Sequence, residues 1–342
     1  MNDKMYLLTG AAGFLGSNVS RALVDQGCSV RALVLAGDPA AEMIPPDVEK
    51  VTGNLLDGDS LERLFDVPPG IEIIVLHIAS FVTVVPEWNQ KVYEVNVIGT
   101  KNIIEKCLEH KAKKLVYVSS TGAIPECSRG QIKEPDSLSP ELVVGCYAKT
   151  KAIATQLVLD AARDKGLDAS VVYPSGICGP NDFAYGFVAQ FVINYVEGNM
   201  PAGIAGSFNS VDVRDLAQGV IACAEKGRKG EGYIMSNCFV TIRELFLLIS
   251  KLSGVPEVKI ILPIPLARFV AFISETIARL RKKTTMFTTY SVYNLARNND
   301  FDCSKAMREL GYQCRSFEET IRDTVRWLIK EGKIDTLVSI LS

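Results

Sequence analysis

Residues 5–16 read MYLLTGAAGFLG, an apolar run at Met5–Leu8 followed by glycines at positions 10, 13 and 16 and then by a helix-like segment. In such a loop the first glycine permits a tight turn and the second lets the backbone approach a pyrophosphate. The third glycine lets the helix pack closely on the strand, and the helix N-terminus offers the positive end of its dipole. The stretch therefore predicts a strand, a dinucleotide-binding loop and a helix.

Apolar runs continue to alternate with helix-like segments through the first half of the chain. The later strand-like runs are Ser29–Leu33, Ile71–Ile78, Lys114–Val118 and Ala169–Tyr173, and the helix-like segments lie near 14–26, 60–66, 90–110 and 147–165. Alternation of this kind is typical of a parallel sheet with helices on both faces. We predict an α/β fold with a doubly wound parallel (Rossmann) sheet in residues 1–180.

The alternation ends after residue 180. Residues 181–205 and 237–342 have helical or irregular patterns, whereas 206–236 contain strand-like runs at 210–213 and 232–236. We predict that 206–236 return to the sheet. The other two segments are expected to form a smaller, discontinuous C-terminal lobe that binds the substrate.

One segment of this lobe, 264–283, has the pattern of an amphipathic helix. Its apolar face comprises Leu266, Phe269, Val270, Ile273, Ile277 and Leu280. We expect this face to pack on the protein core, and a pocket wall or a membrane-surface contact is the alternative. Charged residues interrupt the segment, so we predict no transmembrane helix.

Composition excludes several classes of function. The chain has 342 residues, is 48% hydrophobic and has a net charge of −2, which gives no basic footprint for nucleic acid. Nine irregularly spaced cysteines favour free thiols in a reducing cytosol, and the two histidines give little support to a metal site. The N-terminus lacks the pattern of a signal peptide. We therefore expect a cytoplasmic protein with no metal.

Five further fragments follow the glycine loop in a consistent order: GNLLD (53–57), LHIAS (76–80), NVIGT (96–100), YPSGICGP (173–180) and DVRD (212–215). With them the chain resembles, over nearly its whole length, the extended short-chain dehydrogenases/reductases of the NAD-dependent epimerase/dehydratase superfamily. The resemblance implies NAD or NADP as cofactor. The cofactor-binding residues that it implies are Gly10, Gly13, Phe14, Leu15, Gly16, Leu35, Asn54, Leu55, Ile78, Ala79, Ser80, Asn96, Tyr147, Lys151, Pro174, Ser175, Gly176 and Ile177.

The chain contains a single Tyr-x-x-x-Lys, at Tyr147 and Lys151, which lie one turn apart on a predicted helix. The resemblance implies that Ser120 hydrogen-bonds the substrate oxygen, that Tyr147 exchanges the proton and that Lys151 binds the nicotinamide ribose. Thr121 is the alternative to Ser120. A nearby ammonium group and a positive nicotinamide ring are expected to lower the pKa of the Tyr147 phenol from its usual value.

The end of the second strand bears on the choice between NAD and NADP. Leu35 stands where reductases similar to dihydroflavonol reductase often carry arginine, and Arg31 lies too far back along the strand. Asp38 would repel a 2′-phosphate if the turn brings it close. We therefore lean slightly to NAD.

Four other polar residues have alternative interpretations. His77 lies in an apolar strand and is expected to be a core residue rather than a catalytic base. Asp57 and Asp59 precede a helix and can be simple caps. Arg214 can form a structural ion pair or contact the substrate.

For the substrate, the chain looks most similar to dihydroflavonol reductases and 3β-hydroxysteroid dehydrogenases. We predict reduction of a ketone or aldehyde, or its reverse, on a small hydrophobic or ring-bearing molecule. The expected substrate-binding residues are Ser120, Thr121, Tyr147, Phe81, Phe183 and Phe187. The alternatives are a nucleotide-sugar epimerase or dehydratase with tightly bound NAD, and a non-catalytic dinucleotide-binding regulator. A homodimer is possible.

Overall fold

The computed structural model describes residues 3–281 and 287–335. In this part of the chain the strands are β1 (Lys4–Thr9), β2 (Ser29–Val34), β3 (Glu49–Thr52), β4 (Glu72–His77), β5 (Lys114–Val118), β6 (Ala169–Pro174), β7 (Gly176–Cys178), β8 (Gly203–Ile204), β9 (Ser207–Asp212), β10 (Gly232–Met235), β11 (Cys238–Thr241) and β12 (Ile261–Leu262). The strands predicted from the sequence are all present, to within a few residues at their ends.

The helices are α1 (Phe14–Asp25), α2 (Gly58–Phe65), α3 (Gln90–Tyr93), α4 (Gly99–Glu109), α5 (Cys146–Asp164), α6 (Phe187–Val196), α7 (Val213–Lys226), α8 (Ile242–Ser253), α9 (Ile264–Leu280), α10 (Thr289–Ala296), α11 (Ser304–Leu310) and α12 (Phe317–Lys330). The helix predicted near 90–110 consists of α3 and α4 joined by a π-helical turn, Glu94–Ile98. Asp57 caps α2, since its side chain accepts a hydrogen bond from the Asp59 amide.

The main sheet has seven strands in the order β10-β6-β5-β4-β1-β2-β3, and every pair in it is parallel. This confirms the doubly wound Rossmann fold. Successive residues of β5 point to opposite faces: Leu115 and Tyr117 join one core cluster, and Val116 and Val118 join the other. Because helices cover both faces, an uninterrupted apolar strand is stable here.

The C-terminal half builds a second core beside the sheet. Phe246, Trp327 and Ile321 are buried among residues of α6, α8 and α12. A three-stranded sheet, β11-β9-β7, connects this core to the end of β6. Part of the segment 237–342 packs elsewhere, because Leu310 and Tyr312 join the core of the main sheet. We keep the boundaries 1–180 with 206–236, and 181–205 with 237–342, as a proposed division.

The apolar face of 264–283 was expected to pack on the protein core, and for residues 264–281 this expectation is wrong. Positions 282 and 283 lie outside the described residues. The face that packs on the protein carries Ala267 and Ala271, which are fully buried against Ile204 and Val292. The large apolar residues of α9 point to solvent. Small residues let α9 approach its neighbours closely, and the sequence period alone does not say which face meets the protein. In the described ranges, no helix has the length and hydropathy needed to cross a membrane.

Candidate active site

The glycine loop after β1 has the geometry that an approaching phosphate requires. Gly10 adopts a φ of 77°, and a Cβ there would lie 2.6 Å from the Ala79 amide nitrogen. A Cβ on Gly16 would collide with the Gly10 carbonyl. Gly13 is the N-cap of α1 and has no side chain to occupy the first amides of that helix. Those amides therefore stay available to an anion, and the loop fits the pyrophosphate of a dinucleotide.

A cavity of about 930 Å³ extends from this loop along the carboxyl ends of the central strands. Most of the residues predicted to bind a cofactor lie in its wall: Gly10, Gly13, Phe14, Leu15, Gly16, Leu35, Asn54, Leu55, Ile78, Ala79, Ser80, Tyr147, Lys151, Pro174, Ser175 and Ile177. Ser120 and Phe81 also line it. A site at this edge is what a doubly wound sheet provides at its topological switch point.

Several wall residues were missed by the sequence analysis. They are Thr9, Ala12, Leu33, Val34, Gly53, Leu56, Val82, Lys91, Glu94, Val95, Val118 and Ser119. Asp38 also lines the cavity and was considered only for cofactor choice. Thr9 and Gly53 lie inside the fragments that carried the resemblance, and Val118 and Ser119 directly precede Ser120, so including every residue of these stretches could have found them. Lys91 and Glu94 line the cavity from α3 and the π-helical turn. A helix was predicted near 90–110, but its pattern did not indicate which residues face the cavity.

Five of the predicted residues are not in the wall. Thr121 is buried behind Ser120, and Gly176 is exposed at the start of β7. Phe183 packs edge-to-face on Trp327 in the second core, with a ring-centroid distance of 5.6 Å, and Phe187 is exposed. The assembly of the lobe turns these two rings away, so we do not carry them into the functional proposal. Asn96 is the fifth.

Asn96 lies in the π-helical turn and fixes the loop that follows β4. Its Oδ1 accepts hydrogen bonds from the Phe81 amide (2.7 Å) and from the Ser80 hydroxyl (3.1 Å). Its Nδ2 donates to the Phe81 carbonyl and to the Thr150 hydroxyl, both at 3.1 Å. A π-helical turn often marks a functional site. Asn96 therefore supports the wall of the cavity from behind.

His77 is a core residue, as its sequence context indicates. The ring is fully buried between two threonine hydroxyls, Thr9 Oγ1 at 2.6 Å from Nδ1 and Thr100 Oγ1 at 2.9 Å from Nε2. The Thr100 hydroxyl donates its proton to the Asn96 carbonyl, so Nε2 of His77 must donate to Thr100. Burial, followed by the charge of Lys151, lowers the pKa of His77 to about 3. The ring is therefore a neutral structural link between β1, β4 and α4.

Tyr147 lies in the first turn of α5 and lines the cavity. Burial raises the pKa of its phenol, and hydrogen bonds with the hydroxyls of Ser120 and Ser80 oppose this shift. The pKa of Tyr147 is therefore raised and not lowered, contrary to the expectation, because burial outweighs the hydrogen bonds. The structure does bring Tyr147 together with Ser120, and it adds Ser80, a residue that the resemblance assigned only to the cofactor.

Lys151 lies one turn further along α5 and is 1% exposed. Its ammonium donates a hydrogen bond to the Val118 carbonyl at 2.6 Å and lies 4.4 Å from the centre of the Tyr117 ring. Burial lowers its pKa from 10.5 to about 7. None of the ion pairs found among the described residues involves Lys151. A ligand with oxygen atoms at this point would supply the acceptors that favour the charged form.

The turn after β2 contains the groups that bear on cofactor choice. Leu35 is 59% exposed at the cavity, and Asp38 also lines it. Arg31 is turned away, since its guanidinium donates to the Leu64 and Asp66 carbonyls and pairs with Glu49. This confirms that Arg31 does not reach the cavity.

Two charged groups elsewhere have structural roles. Arg214 pairs with the buried Asp212 at 2.8 Å and with Asp323 at 2.6 Å, and it is not in the cavity wall. On the surface, Glu62, Glu109 and His110 come within reach of one another, but the Lys106 ammonium already bonds both carboxylates at 2.7 Å. Neither group adds to the site.

A parallel doubly wound sheet with a glycine loop opening into a long cavity defines a Rossmann-type dinucleotide-binding protein. The family model described as "NAD dependent epimerase/dehydratase family" matches residues 6–237. The chain belongs to this family, which confirms the expected class of cofactor.

Three known proteins are similar over nearly the full chain. "Sterol demethylase protein B" of Methylococcus capsulatus is 30% identical over 331 residues, which cover 96% of this chain and 99% of that protein. "Putative dihydroflavonol 4-reductase" of Synechocystis is 29% identical and covers 97% and 96%. The crystal structure of gox2253 is 30% identical, with a TM-score of 0.83 and coverage of 98% and 100%. The resemblance to dihydroflavonol-reductase-like members is confirmed by these matches.

Proposed function

We propose that the protein is an NAD-dependent oxidoreductase that transfers a hydride between the nicotinamide and a carbonyl or secondary alcohol of an apolar, ring-bearing substrate. One observation carries the proposal: Tyr147, Ser120 and Ser80 line the same cavity as the glycine loop. A proton donor and a pyrophosphate cradle in one cavity are what hydride transfer between a dinucleotide and a carbonyl requires.

The chain's residues have separate tasks in this reaction. The dinucleotide, when bound, supplies or accepts the hydride. Tyr147 gives its phenolic proton to the developing alkoxide during reduction and takes it back during oxidation. Ser120 donates a hydrogen bond to the same oxygen and stabilises the charge that develops there. Burial raises the pKa of the Tyr147 phenol and so favours the protonated form that reduction requires.

Lys151 has a binding and an electrostatic task. The hydroxyls of a nicotinamide ribose would give its ammonium the acceptors that the protein provides only at Val118. With those acceptors Lys151 takes up a proton near neutral pH, because its pKa in the ligand-free site is about 7. Its positive charge then favours the phenolate form of Tyr147 and assists proton transfer.

Asp38 supports NAD over NADP. Its carboxylate lines the cavity at the end of β2, where it would repel a 2′-phosphate and can accept hydrogen bonds from ribose hydroxyls. Arg31, the nearest strand cation, is held elsewhere by its own partners.

The rim of the cavity supports an apolar substrate. Phe81 and Val82 lie in the wall and are exposed, and Val84, Val85 and Trp88 extend the same exposed loop. An exposed group of large apolar residues beside a cavity often marks a ligand-binding surface. The names of two relatives refer to a sterol and to a dihydroflavonol, both ring-bearing molecules.

The family description also covers epimerases and dehydratases, so an enzyme that retains NAD through its cycle is the second candidate. The two are distinguished by whether turnover consumes added cofactor. The test is a panel of cyclic ketones, steroids, flavonoids and UDP-sugars, assayed at 340 nm with NADH and NADPH in parallel. The proposal predicts oxidation of NADH with apolar cyclic ketones. Conversion of UDP-sugars without added NAD would contradict it.

A further inference from the structure

The outward face of α9 is the largest run of exposed apolar side chains on one helix in the described chain. Phe269 and Phe272 are each 62% exposed and Leu280 is 80% exposed. Leu266, Val270, Ile273 and Ile277 are also exposed. Exposed patches of this kind on soluble proteins mark a site of interaction.

The helix is held firmly on its other side. Ala267 and Ala271 are fully buried, and Glu275 accepts hydrogen bonds from the Thr289 amide (3.1 Å) and hydroxyl (3.0 Å) at the start of α10. The outward face therefore cannot turn inward by a simple rotation of α9, because a rotation would break these contacts and bury larger residues where alanine fits.

The charges around the face identify its occupant. Residues 264–283 contain five basic residues, Arg268, Arg279, Arg281, Lys282 and Lys283, and one acid, Glu275. The carboxylate of Glu275 is bonded to α10, and Arg268 and Arg281 are exposed. A helix with aromatic and aliphatic residues outward, with Arg268 and Arg281 exposed on it and with a basic sequence around them, matches an anionic lipid surface.

We propose that α9 attaches the protein to the surface of an anionic membrane, lying in the interface without crossing it. A second copy of the chain suits the face less well. A symmetric contact would bring the same basic residues of two copies together, and like charges across an interface oppose association. The proposal does not depend on the function of the cavity.

The position of α9 gives the attachment a consequence for the site. α10, which packs on α9, carries Tyr290, and the Tyr290 hydroxyl donates to the Val144 carbonyl at 3.0 Å. A Cβ on Gly145 would meet the Tyr290 ring, so this contact is close. Residues 144–147 thus lie one helix away from the proposed lipid contact. If the proposed function holds, an apolar substrate can reach Tyr147 from the bilayer.

The test uses the full chain in vesicle flotation, with phosphatidylcholine alone and with phosphatidylcholine containing phosphatidylserine. We expect binding to the anionic vesicles that weakens as salt is added. The double variant Phe269→Ser/Phe272→Ser should lower the partition coefficient at least about tenfold. Arg268→Gln should lower it about fivefold on anionic vesicles.

Phe239→Ser is the matched control, because Phe239 is also about half exposed but lies on β11. It should bind as the wild type does. All three variants change surface residues, and unaltered thermal unfolding would verify that they fold. Absence of binding at low salt, or equal binding by the double variant, would overturn the proposal. So would a wild-type dimer that the double variant converts to a monomer without any binding to vesicles.

Discussion

Replacement of Lys151 by methionine gives the sharpest test of the site's electrostatics. In the ligand-free protein Lys151 is 1% exposed and burial lowers its pKa from 10.5 to about 7. The unfolded chain therefore binds one more proton than the folded chain between these two values. The free energy of unfolding must rise with pH across this window, and below it the cost of the buried charge stays at its maximum.

The size of the effect follows from the same shift. Burial of this lysine costs the folded state about 4 kcal/mol at pH 7 and about 2 kcal/mol at pH 9. Methionine avoids that cost but leaves the Val118 carbonyl without its donor, which costs about 1 kcal/mol. Lys151→Met should therefore be more stable than the wild type at pH 7, by about 3 kcal/mol, and the difference should shrink by about 2 kcal/mol at pH 9.

Urea unfolding of both ligand-free proteins at pH 7, 8 and 9 measures this difference directly. Titration of all other groups cancels in the comparison. Lys149→Met on the same helix is the control, since its side chain is only partly buried and lies outside the cavity. A stability difference that stays constant with pH would refute the reasoning, because it would mean that Lys151 is not desolvated.

Three further substitutions test other parts of the site. Gly16→Ala should abolish measurable binding of NADH in a fluorescence titration, because its Cβ would collide with the Gly10 carbonyl, whereas Gly58→Ala, which meets nothing within 4 Å, should bind normally. Asp38→Asn should raise the kcat/KM ratio of NADPH to NADH by about tenfold or more, and an unchanged ratio would exclude Asp38 from cofactor choice. Ser80→Ala removes a hydrogen bond that lowers the pKa of Tyr147, so the pH at which the rate of alcohol oxidation rises should move upward. A pH–rate profile that does not move would contradict this contact.

The nucleotide half of the site could be predicted from the sequence because its constraints are local. Gly10 has a left-handed φ, and the Gly10 carbonyl occupies the space that a Cβ at position 16 would need. Only glycine therefore fits at these two positions. The pair Tyr147 and Lys151 is fixed by one helical turn. These features follow from spacing within a few residues and did not depend on how distant segments assemble.

The substrate side was predicted less well, because its geometry depends on contacts between distant segments. Phe183 is turned away by Trp327, which lies far along the chain, and the sequence has no signal for that pairing. Ser80 contacts Tyr147 only because Asn96 fixes the intervening loop. On α9 the helical spacing of the apolar residues predicted an amphipathic helix. The face that packs on the protein is instead the one that carries the small residues Ala267 and Ala271.

The most direct test of the proposed chemistry is Tyr147→Phe, assayed with NADH and the best ketone from the substrate panel. The phenylalanine variant should bind NADH as the wild type does, because the phenol oxygen is all that it loses. We expect kcat to fall by about 10²–10⁴-fold, the usual contribution of a positioned proton donor. Normal NADH binding with undiminished turnover would contradict the role of Tyr147 and, with it, the account of the site.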